Sequence, residues 1–104
     1  MSYNDYDTGV HVDPATVINN GIIEVSYSGM LSQEGAKEIY LHYGSSYLED
    51  WANVNDVKMV KNPNGAFSAN LTVPKGNKLN ICFRDNAYNW DNNTGKNYVF
   101  EIKK

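Results

Sequence analysis

Two stretches of this sequence set a tryptophan among residues too polar to form a core: Tyr47-Leu48-Glu49-Asp50-Trp51-Ala52-Asn53, and Asp85-Asn86-Ala87-Tyr88-Asn89-Trp90-Asp91-Asn92-Asn93. An indole is a flat apolar plate, and the Asn, Asp and Tyr side chains around it supply hydrogen-bond donors and acceptors. A sugar ring answers to both, because one face is lined with C–H bonds and the rim carries hydroxyls. If stacking removes on the order of 80 Å² of apolar surface at ~25 cal/mol per Å², each plate contributes about 2 kcal/mol. Two plates and a few wet hydrogen bonds, less the cost of association, leave an affinity between about millimolar and tens of micromolar. That is weak, and useful when the module is tethered to something else. A Trp in a small sandwich more often packs a core, but here Ile, Leu, Val and Phe fill the inward strand positions.

Other chemistries find less support. A glycosidase needs two carboxylates across a bond, and Asp50, Asp56, Asp85 and Asp91 are candidates. None lies in an apolar context that would raise its pKa for acid duty, and a thin sandwich offers no deep cleft. There is no DxDxDG calcium loop, HExxH, GxSxG or glycine-rich phosphate loop, so no enzyme, metal or cofactor is expected. The single cysteine, Cys82, forbids an internal disulfide and reads as a packed thiol in a strand. A net charge of −3, from 12 acidic and 9 basic residues with no Lys/Arg cluster, argues against a nucleic-acid partner. No apolar run approaches the ~20 residues of a membrane span. The opening Met1 to Thr8 lacks the pattern of a secretory signal, which leaves a cytosolic chain or a module of a longer secreted one.

These loops need short strands to hold them. A chain of 104 residues predicts a single domain. The first twenty residues read as tail, linker or an edge strand built on Val10, Val12, Val17 and Ile18, and residues 21–104 carry the core. Ile22 to Tyr27 is a β-branched strand, and Met30 to Lys37 a loop or one helical turn. Glu38 to Tyr43 alternates Ile39, Leu41 and Tyr43 against Tyr40 and His42. Residues 44–55 read as a loop, and Val57 to Lys61 as a short strand closed by Asn62-Pro63-Asn64-Gly65. Phe67 to Val73 alternates cleanly; Leu79, Ile81 and Phe83 carry another inward face; Arg84 to Lys96 is a second long loop; and Tyr98 to Ile102 closes the chain. Short strands with regular turns and no long helix predict two packed antiparallel sheets, with a closed barrel as the alternative. On alternation alone, His42 is a solvated surface imidazole.

Ile39-Tyr40-Leu41-His42-Tyr43-Gly44, then Trp51 with Asn53-Val54-Asn55-Asp56-Val57-Lys58-Met59, then Leu79 to Asp85 leading to Trp90-Asp91-Asn92-Asn93-Thr94-Gly95-Lys96-Asn97-Tyr98, resembles the starch-binding carbohydrate-binding modules of family 25, with family 26 close behind. The likeness runs from about Gly21 to Ile102. It implies an all-β, immunoglobulin-like antiparallel β-sandwich without catalysis, appended to secreted amylases and binding α-1,4-glucans such as starch and malto-oligosaccharides. It also implies a sugar site of His42, Trp51 and Trp90. Asn92, Asn93 and Tyr98 fall in the same motif, where they shape the loop more than touch sugar. An extracellular module, monomeric or within a multidomain chain, follows from the same likeness. The contrasting expectation is an immunoglobulin-like interaction or spacer domain with both tryptophans buried against a neighbour or the core. A curved α-glucan requires the two indoles inclined to each other and a flat β-glucan requires them coplanar, an angle that spacing does not supply.

Overall fold

The computed structural model describes residues 2–48 and 50–103. Among the described residues, eleven strands and one helical turn follow in the order β1 (Tyr3–Asp5), β2 (Val10–Asp13), β3 (Val17–Ile18), β4 (Ile22–Tyr27), α1 (Met30–Gln33), β5 (Ile39–Ser46), β6 (Ala52–Lys58), β7 (Val60–Lys61), β8 (Phe67–Thr72), β9 (Lys78–Asp85), β10 (Trp90–Asp91) and β11 (Tyr98–Lys103). One sheet is ordered β1-β2-β4-β8-β7 and the other β3-β11-β9-β5-β6, with β10 attached to β9. This is the immunoglobulin-like sandwich: β2-β4-β8-β7 corresponds to its A-B-E-D sheet, and β11-β9-β5-β6 to its G-F-C sheet extended by C′. The pairing of β3 with β11 is parallel, so one edge departs from the all-antiparallel expectation.

Period-two alternation fills the space between the sheets. Val12, Val25, Tyr27, Phe67 and Leu71 enter from one side and Ile39, Leu41, Leu79, Ile81 and Phe83 from the other, all buried. Tyr27 and Phe83 stack across the sandwich with centroids 4.1 Å apart and planes 20° from parallel. Val10, Val12 and Val17 are buried with them, so the first twenty residues contribute to the core through β2 and β3.

Three local readings change. Residues 44–55 are not one loop, because β5 continues to Ser46 and β6 begins at Ala52. Ala52 to Asp56 are all exposed on an edge strand, so no apolar alternation marked it in the sequence. The strand expected over 57–61 divides at Met59, which is 3 % exposed and donates its N–H to the Ile39 carbonyl at 2.8 Å where the chain crosses between sheets. The second loop, 84–96, contains the short strand β10. Among the described residues no helix is long and apolar enough to cross a membrane.

Candidate functional site

Strand parity and register assemble the site on the outward face of the β9-β5-β6 sheet. With Ile39, Leu41 and Tyr43 inward, Tyr40 and His42 must face out, and across the sheet His42 is paired with Cys82 on β9 and Asp56 on β6. One step along, Tyr40 is paired with Arg84, which is itself paired with Trp90 on β10. Both long loops therefore converge beside one imidazole.

The three aromatic residues meet there. The His42 ring stacks on Trp51 at 5.6 Å between centroids with planes 26° apart, and meets Trp90 edge-on at 5.3 Å and 80°. The two indole planes are thus inclined by at least the difference between those angles, far from coplanar. Trp90 is 42 % exposed, so it is not buried in the module's own core. Trp51 is half-buried.

His42 is oriented by an acceptor. Its Nδ1 hydrogen-bonds Asp56 Oδ1, and Asp56 Oδ2 accepts from Arg84 Nη2 at 3.2 Å. Burial alone would raise the Asp56 pKa, but the hydrogen bonds from His42 and Arg84 outweigh it and hold the carboxyl below the usual range. An ionised carboxylate only accepts, so Nδ1 carries the imidazole proton and Nε2 is left for another group. Arg84 is held in turn between two rings, its guanidinium carbon 4.2 Å from the Tyr40 centroid and 4.5 Å from that of Tyr88. Cys82 lies buried in the sheet beside His42, and burial pushes its thiol up to about 12, with the Asp56 and Asp91 charges adding to the effect. That is a packing thiol, as expected.

Each tryptophan has its own support. Register in the β5–β6 pair shifts between Tyr43 and Ser45, leaving Asn53 and Val54 opposite Gly44. This is a β-bulge, and Asn53 at φ 54° takes the left-handed turn it requires. Trp51 then lies across Gly44, where a Cβ would sit 3.1 Å from Trp51 Cε3 and 3.0 Å from the Ala52 carbonyl. On the other side, Asp91 points inward and is buried, accepting from the Tyr27 hydroxyl at 2.5 Å and the Tyr98 hydroxyl at 2.9 Å. Because neighbours on a strand face opposite ways, pinning Asp91 in turns Trp90 out. Asp85 closes the preceding turn, accepting at 2.9 Å from the N–H groups of Ala87 and Asn89 and from Asn89 Nδ2; these bonds, the Asn89 side chain's first, lower its pKa.

The structure therefore groups His42, Trp51 and Trp90 and places the other three candidates around them. Tyr98 is buried with its hydroxyl on Asp91. Asn92 Oδ1 accepts from Gly95 N at 3.0 Å, and Asn93 Nδ2 donates to the Asn97 carbonyl at 3.1 Å. These two build the turn between β10 and β11, and Asn92, Asn93 and Tyr98 all line a hollow of about 370 Å³ beside Trp90. Arg84, Tyr40 and Tyr88 are not among the candidate residues read from the sequence, and Asp56 is there only as a carboxylate for the disfavoured glycosidase reading. Parity puts Arg84 on the outer face of its strand, but its meeting with Tyr40 and Asp56 depends on strand register.

The family described as "Starch/carbohydrate-binding module (family 53)" matches residues 23–81, whereas the resemblance read from the motifs pointed to families 25 and 26. A 79-residue segment is 38 % identical to part of an alpha-amylase of Clostridium acetobutylicum, covering 75 % of this chain. The match takes in 10 % of that enzyme, so the chain spans about a tenth of its relative's length. No solved structure matches the chain.

Proposed function

Because the chain belongs to the starch/carbohydrate-binding modules of family 53, we propose that it is a noncatalytic module that holds α-1,4-glucan chains, in starch or as malto-oligosaccharides, against Trp51, His42 and Trp90. Trp51 and Trp90 stack on successive glucose rings, and His42 Nε2 accepts from a hydroxyl between them. The observation that carries this reading is the inclination of the two indoles, set by planes at 26° and 80° to one imidazole. A helically curving α-glucan turns its successive apolar faces through such an angle, and a flat β-glucan does not. Asn92 and Asn93 shape the hollow beside Trp90, and Tyr98 supports it from below. The finer likeness to families 25 and 26 suggests the same ligand. The amylase relative supports a place in an extracellular starch-degrading enzyme, where tethering makes weak binding effective.

Native gels containing amylopectin test the proposal. The wild type is expected to be retarded, and Trp51→Ala or Trp90→Ala each to lose most of the retardation, since each removes about 2 kcal/mol of stacking, some thirtyfold in affinity. Wild-type mobility unchanged by amylopectin contradicts it.

A further inference from the structure

The opposite face of the sandwich carries a second arrangement of the same design. On the outward side of the β1-β2-β4-β8-β7 sheet, register places Asn4, His11, Ser26 and Ser68 in one row. Asn4 Nδ2 donates to Ser2 Oγ at 3.0 Å, which turns Asn4 Oδ1 toward His11 Nδ1, 2.6 Å away. An amide oxygen only accepts, so Nδ1 carries a proton here too and Nε2 is left for another group. Beside it stands Tyr6, 84 % exposed, its ring edge-on to His11 at 5.6 Å between centroids and 75°. A phenol ring this exposed contributes little to the core.

A groove of about 870 Å³ opens from His11, between the α1 segment and the turn joining β7 to β8. Its walls include Ser26, Ser28, Gln33, Asn62 and Asn64, side chains that both donate and accept without charge. None of its lining residues is acidic, and its two lysines, Lys37 and Lys61, are exposed. The volume falls within the range of small-ligand sites. An aromatic plate, a histidine with one nitrogen committed, and a hydroxyl- and amide-lined trough together match a neutral polyhydroxylated chain. An anion would have no use for the plate.

We propose that Tyr6, His11 and this groove form a second α-glucan site, back to back with the first. This rests on the α-glucan reading of the site at His42. The two sheets pack by their inner faces, so the two sites look away from each other, and a module with both occupied bridges neighbouring polysaccharide strands rather than following one.

Titration of the ¹⁵N-labelled protein with maltoheptaose separates the two. The Trp90 indole N–H reports the first site, and the amides of His11, Ser26 and Asn62 report the groove. Both sets of signals are expected to move in the wild type. The groove signals are expected to move still in Trp51→Ala/Trp90→Ala, and adding Tyr6→Ala or His11→Ala is expected to weaken that residual binding about tenfold. A dispersed spectrum for each variant verifies that it is folded. Movement of the indole with a silent groove overturns the second site alone, and silence of both overturns the α-glucan reading with it. A groove that responds to a sulfated glucan but not to maltoheptaose also overturns the proposal, giving the site to Lys37 and Lys61.

Discussion

At the scale of single residues, the site works through one tautomer. Asp56 and Arg84 lie beside the proposed sugar-contacting side chains, and they decide which nitrogen of His42 is offered to a ligand. Asp56→Ala is expected to free the ring and weaken maltoheptaose binding about tenfold by calorimetry, with a stability change of about 1 kcal/mol or less because the pair is partly exposed. The same carboxylate gives a pH signature. Its pKa is lowered in the folded protein, so its contribution to stability is fully present above the ordinary value of about 3.9 and is lost as the pH falls through the depressed one. The fall in melting temperature toward low pH should therefore be shallower in Asp56→Ala than in the wild type, and identical acid limbs would contradict the relay.

At the scale of elements, aromatic placement depends on two small irregularities: the bulge opposite Gly44 and the two-residue strand β10. Gly44→Ala puts a methyl 3.1 Å from Trp51 Cε3. It is expected to displace that indole and cut amylopectin retardation severalfold, while tryptophan fluorescence of the free protein shifts; unchanged retardation would show that the pose of Trp51 is immaterial. These irregularities also mark where the sequence stopped being readable. Alternation in Ile39–Tyr43 and Phe67–Val73 was legible because one face of each strand is more deeply buried than the other, and it correctly put His42 on the outside. Leu79–Phe83 was legible because its large apolar side chains take one face, although Asn80 and Cys82 on the other are buried too. Edge strand β6 has almost no buried face, so Ala52 to Asn55 read as loop and only its end, from Val57, as strand. The meeting of His42, Trp51 and Trp90 depends on cross-strand register, which a single strand's pattern does not contain. His42 was therefore singled out by family resemblance, while Arg84 was passed over and Asp56 entered only as a carboxylate for the glycosidase reading.

At the scale of the whole molecule, the core and the site are joined through Asp91. Its carboxylate takes the hydroxyls of Tyr27 and Tyr98, burial raising the pKa of both phenols and the bonds to Asp91 adding to it. Tyr27 also accepts the Leu31 N–H at 3.1 Å, so one hydroxyl ties α1, β4 and β10 together. Tyr27→Phe leaves that amide and part of the carboxylate without partners, at a cost of about 2–3 kcal/mol. A fall of roughly 10 °C or more in melting temperature is expected from scanning calorimetry, with weaker starch binding as β10 loosens. A melting temperature within a degree or two of wild type would separate site from core. The central claim, that inclined Trp51 and Trp90 planes around His42 hold a curved α-glucan, is tested most directly by a crystal structure of the complex with maltotetraose. Successive glucose rings stacked on the two indoles, with a hydroxyl on His42 Nε2, are the predicted result. Sugar bound away from these three side chains, with both indoles uncovered, would contradict it.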